Sequence, residues 1–63
     1  MSDERLDEIC SELGAITERL DDLALEALRE AVGNGATARP EIERRIVRAR
    51  NAVERARHLL GSQ

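Results

Sequence analysis

Aliphatic side chains return every three or four residues along nearly the whole chain, and the rhythm breaks once, at Gly33-Asn34-Gly35. Before the break stand Leu6, Ile9, Leu13, Ile16, Leu20, Leu23 and Ala27; after it stand Ile42, Ile46, Ala49, Val53, Ala56 and Leu60. This spacing gathers apolar groups on one side of an α-helix, whereas a strand would need strict alternation. In heptad letters, Leu6, Leu13, Leu20 and Ala27 are a positions, with Ile9, Ile16 and Leu23 at d. In the second block Ile46, Val53 and Leu60 are a, with Ile42, Ala49 and Ala56 at d. The pattern predicts one all-α domain over 1–63, an antiparallel hairpin of helices at about 2–32 and 38–60.

The ends of the two blocks carry matching signals. Ser2 is a candidate N-cap, and Asp3 and Glu4 put negative charge where the helix dipole favours it. Gly33, Asn34 and Gly35 tolerate the left-handed conformation of a helix stop. Two starts are open for the second helix: Thr37 as N-cap with Pro40 in the first turn, or Arg39 with Pro40 at the first helical position. Gly61 reads as its end.

Two helices alone leave apolar surface uncovered. Cys10, Thr17, Ala24 and Ala31 form a row of small residues at e, while Ala52 and Leu59 widen the second helix on its g side. Faces of this breadth suit a bundle better than a two-stranded coil, and small side chains let another helix come close. Folding about residue 35 sets Leu60 opposite Cys10, so Leu6 and Ile9 overhang. The chain has 63 residues and no Phe, Tyr or Trp, and so lacks the side chains that bury most area each. These features predict a homodimer in which two hairpins form a four-helix bundle. Its core and dimer interface would comprise Leu6, Ile9, Leu13, Ile16, Leu20, Leu23, Ile42, Ile46, Ala49, Val53, Ala56 and Leu60. Leu25, Leu28 and Val32 make a separate stripe on the back of the first helix, a candidate patch for another protein.

Charge is divided between the halves. Residues 1–32 hold ten acids and three Arg, a net of −7, and residues 33–63 hold three acids and seven Arg, a net of +4. Opposite signs favour the hairpin and help select which helices meet in a dimer. Glu41 with Arg45, and Arg50 with Glu54, have the spacing of pairs within a helix. The overall charge of −3 and the lack of aromatic residues speak against nucleic acid as a ligand. An Arg stripe of Arg44, Arg48 and Arg55 leaves an alternative: an anionic small ligand or nucleotide held at the dimer interface.

Chemistry-bearing residues are few. One Cys and one His cannot form a four-ligand zinc cage, and no cofactor motif is present. Cys10 reads as a small buried hydrophobe without a cationic neighbour on its own helix, and His58 as a solvent-facing residue near a helix end. Gly14 falls on the outer face of the first helix, where it costs about 1 kcal/mol against Ala. Asp7-Glu8 and Asp21-Asp22 lack the spacing of a calcium loop. The charged start and the absence of a long apolar run predict a cytoplasmic protein without a membrane span. The stretch from Leu6-Asp7-Glu8-Ile9 to Leu20-Asp21-Asp22-Leu23 resembles the opening helix of the small all-helical chorismate mutases. Cys10, Gly14 and Thr17 stand where that family carries an Arg and an Asp pair, so the likeness stops at the aliphatic heptad and implies no catalysis. The expectation is a non-enzymatic interaction or assembly module, a small adaptor or regulator working through dimeric helix packing.

Overall fold

A computed structural model describes residues 3–61 as two α-helices, α1 (Glu4–Gly33) and α2 (Glu41–Gly61), packed side by side along their length. The molecule measures 52 × 14 × 11 Å, a rod two helices wide.

Asp3 starts α1. Its carboxylate accepts from the Arg5 N–H at 2.9 Å and its carbonyl from the Asp7 N–H at 3.0 Å. The expected cap, Ser2, lies outside the described residues. At the other end Asn34 stays right-handed, and Gly35 alone takes the left-handed turn, with φ +84°. The Gly35 N–H then reaches the Val32 carbonyl at 3.0 Å, and the Ala36 N–H reaches the Ala31 carbonyl at 2.9 Å. Those two bonds close the helix end in the pattern that a left-handed glycine permits.

The start of α2 differs from both expectations. Pro40 sits just outside the helix, and its carbonyl accepts the first helical bond, from the Arg44 N–H at 3.2 Å. A cap at Thr37 would have made Arg39 helical, and a residue preceding proline is pushed out of the helical region by the ring. Arg39 instead folds its side chain forward onto Glu43, with Nε–Oε1 at 2.7 Å and Nη2–Oε2 at 3.0 Å.

Contacts between the helices fix their register. Asp21 meets Arg50 at 2.9 Å, Thr17 meets Glu54 at 3.4 Å, and a Cβ on Gly61 would lie 3.7 Å from Cys10 Sγ. Each step up α1 is thus a step down α2. Glu4–Ile9 project beyond Gly61 by about 9 Å, at 1.5 Å per residue.

The seam itself is rotated from the expected a/d stripe. Its centre on α1 is the small e row, where Thr17 is 4% and Ala24 8% exposed and Cys10 and Ala31 are half-buried. Opposite lies the e row of α2: Glu43, at 5% exposed, with Arg50 and Arg57 half-buried. Small side chains on one helix let the backbones approach, and long charged side chains on the other lay their stems across the gap. The row of small residues therefore receives the chain's own second helix rather than a foreign one. Gly14 belongs to this arrangement too: it faces α2, where a Cβ would lie 3.7 Å from Arg57 Cδ, and not the outer surface.

Candidate interaction surface

Residues one apart on a helix point about 100° apart, so the d rows lie a quarter-turn from the seam centre on both helices. In an antiparallel pair, equal offsets of this kind bring the two rows to one side of the hairpin. Ile9, Ile16 and Leu23 of α1 share that side with Ile42, Ala49 and Ala56 of α2. The four large members, Ile9, Ile16, Leu23 and Ile42, are 42%, 40%, 51% and 50% exposed. The a rows, including Leu13, Leu20, Ile46 and Val53, lie half-buried between this face and the seam, while Leu6 and Leu60 at the open end are exposed. Among the described residues no large side chain is fully buried. The hairpin has a seam but not a core.

The opposite side of the rod is polar over the half remote from the turn. Asp21 accepts from Arg50 Nε across the helices, and Glu54 takes both Arg57 Nε, at 3.1 Å, and Arg57 Nη2. The Thr17 hydroxyl donates back to the Leu13 carbonyl at 3.0 Å, with Glu54 as its second neighbour. Such back-bonding lets a mid-helix threonine be buried without an orphan group. Asp21–Arg50 is the one ion pair between helices among the described residues. The expected pairings inside α2 differ: Glu41 pairs with Arg44 rather than Arg45, and Glu54 with Arg57 rather than Arg50. One turn of helix lies between three and four residues, so each acid has two candidate partners. Here Arg50 is drawn across to Asp21.

Two buried-edge carboxylates are perturbed. Hydrogen bonds from Arg39 hold the Glu43 carboxyl below its usual range, against the opposing effect of burial. Arg57 does the same for Glu54, with burial again opposing. Both acids are thereby kept charged within the hairpin.

The predicted partner patch is split. Leu25 and Val32 are exposed, but Leu28 is half-buried at the seam's edge. Of the Arg stripe, Arg44 and Arg48 line a shallow groove of about 430 Å³ with Arg39, Glu41 and Val47, while Arg55 lies two turns beyond it. Glu41 and Glu43 engage Arg44 and Arg39 there, and Arg44, Arg48 and Arg55 sit at f and c positions, away from the apolar face. Cys10 Sγ is half-buried and points to the Arg57 carbonyl at 3.7 Å. The contact is to the backbone of Arg57, whose guanidinium is engaged by Glu54. His58 is exposed in the last turn of α2. Among the described residues no three potential metal ligands cluster, and no helix is long and apolar enough to cross a membrane.

Glu43, Arg50, Glu54 and Arg57, which shape the seam, were not apparent from the heptads. Their signal was the alignment of Glu43, Arg50 and Arg57 on one row of α2, facing the small row of α1.

What fold and surface define together is an antiparallel α-hairpin with one polar and one aliphatic side. Comparison with protein families, characterised proteins and solved structures finds no match to this chain.

Proposed function

We propose that the protein is a non-enzymatic interaction module whose aliphatic side pairs with a second copy, giving a four-helix bundle. The observation carrying this reading is the shared row of Ile9, Ile16, Leu23 and Ile42, left open on one side of a hairpin without a core. Its scale fits. The chain exposes 5156 Å², against about 4,000 Å² for a compact monomer of 7.0 kDa, an excess of about 1,100 Å². A standard protein interface removes about 800 Å² from each partner. Leu25 and Val32, on another side of the rod, would remain exposed to a different protein once the bundle has formed, as an adaptor or regulator needs.

Light scattering coupled to size exclusion tests the proposal. The expected mass is twice 7.0 kDa at micromolar concentration. A cooperatively melting particle of single-chain mass would refute it.

A further inference from the structure

The residues flanking the aliphatic side carry information about how two copies meet. On α1 the outer flank is the g row, Arg5, Glu12, Arg19 and Glu26, seven residues apart and alternating in sign. All four are exposed, and among the described residues Glu12, Arg19 and Glu26 take part in no ion pair; Arg5 touches only Asp3, at 3.5 Å. On the polar side Asp21 and Glu54 are paired, while Glu18 beside them is not among the described residues' ion pairs.

Reversed end to end, this row is its own complement: Arg5 falls on Glu26, and Glu12 on Arg19. In antiparallel helix pairs g positions flank g positions, so a second α1 laid antiparallel would satisfy all four. The centre of that reversal lies between residues 15 and 16. The apolar d row reverses about nearly the same level, Ile9 onto Leu23 and Ile16 onto itself.

The second helix gives an independent reading. Its g row on the same side holds Arg45, Ala52 and Leu59, a charged, a small and a large residue, the last 72% exposed; Arg45, near the turn, lies outside the stretch that the reversal pairs. Reversed, Leu59 falls on Ala52 and Ala56 close to itself, about a level between 55 and 56. The hairpin's register, set by Asp21 beside Arg50 and Thr17 beside Glu54, places residues 15–16 of α1 against 55–56 of α2. Both helices thus reverse about one axis, perpendicular to the rod.

We infer that the two copies lie antiparallel, turns at opposite ends, with α1 on α1 and α2 on α2 about a two-fold axis near Ile16 and Ala56. This rests on the dimer proposed above and specifies its geometry. The overhanging Ile9 of each copy then covers Leu23 of the other, while Ile42 lies outside the overlapping stretch of α2 and stays open near each turn. With both turns at one end, α1 would lie on α2 of the other copy. That arrangement suits the net charges of the helices, yet most of the α2 arginines sit at c, e and f, off the apolar side. On the flank itself Glu26 would meet Arg45, but Arg19 would meet Ala52 and Glu12 would meet Leu59, leaving two charges against apolar groups where the antiparallel arrangement leaves none on α1.

Charge reversal tests the geometry. Glu12→Arg or Arg19→Glu alone places like charges together twice per dimer. Each should weaken association about tenfold in sedimentation equilibrium at low salt, and the double swap should restore it. As a second readout, Ile16→Cys in a Cys10→Ser background should form an inter-chain disulfide under mild oxidation, because a residue on the axis meets its own copy. A dimer in which the double swap fails to rescue and Cys at 16 does not link overturns the antiparallel geometry while leaving the association standing. A single-chain particle overturns both.

Discussion

Gly33 and Gly35 stand two residues apart and make opposite demands. Gly35 has φ +84°, a conformation that costs a side chain roughly 1 kcal/mol or more, whereas Gly33 is helical and a methyl group there would meet nothing within 4 Å. Gly35→Ala should therefore destabilise the protein by about 1 kcal/mol, and Gly33→Ala should stabilise it by about 0.5–1 kcal/mol, read from thermal melts. Acid sensitivity also belongs to single residues. Glu43 and Glu54 have lowered carboxyl pKa values, through hydrogen bonds from Arg39 and Arg57 respectively. A folded-state pKa below the unfolded one gives stability that is complete above the unfolded value, near 4.5, and is lost as pH falls through the folded value. Melting temperature should hold between pH 7 and 5 and drop below about 4.5. Glu43→Gln should lower it at pH 7 and shallow the acid drop. A drop unchanged in that variant would assign the acid limb to other carboxylates.

Between the helices, the gap in α1's row of large side chains decides the packing. Heptad letters located both helices and the aliphatic rows, because periodicity depends only on local backbone geometry, and the short turn implied their antiparallel sense. They did not locate the seam. Cys10, Thr17 and Ala24 are weakly apolar and read as an edge, yet close approach of backbones favours small groups, and α2 answers with Glu43, Arg50 and Arg57. Which charged residue bridges to which depends on the rotation of two helices about their axes, a tertiary quantity that neither helix encodes alone. The helix ends were legible to within a residue or two for the same reason as the rows, and the start of α2 was missed because the ring of Pro40 acts backwards on Arg39. Packing at Gly14 follows from the same seam. Ala there meets Arg57 Cδ at 3.7 Å, an ordinary contact, and gains helix propensity. Gly14→Ala should raise stability by up to about 1 kcal/mol, visible as a higher urea midpoint with unchanged slope.

For the whole molecule, folding and association should be one process. If a second copy covers Ile16 and Leu23 as proposed, a hairpin with no large side chain fully buried among its described residues should draw much of its stability from that cover. Its melting temperature should rise with protein concentration, and Ile16→Asp with Leu23→Asp should abolish both the dimer and the cooperative transition in circular dichroism. A variant that stays folded as a single chain would show the hairpin to be self-sufficient.

The unequal arms of the hairpin bear on how far such assembly can run. Glu4–Ile9 extend past Gly61, so each protomer has a stepped profile at its open end. Laid antiparallel about the proposed axis near Ile16, each copy would rest its Glu4–Ile9 overhang on the other and leave its own turn end, with Ile42, projecting past the partner's open end. A two-fold contact presents the same patch from both copies and so closes at two. The projecting turn ends would then be what such a particle still holds out to a different protein.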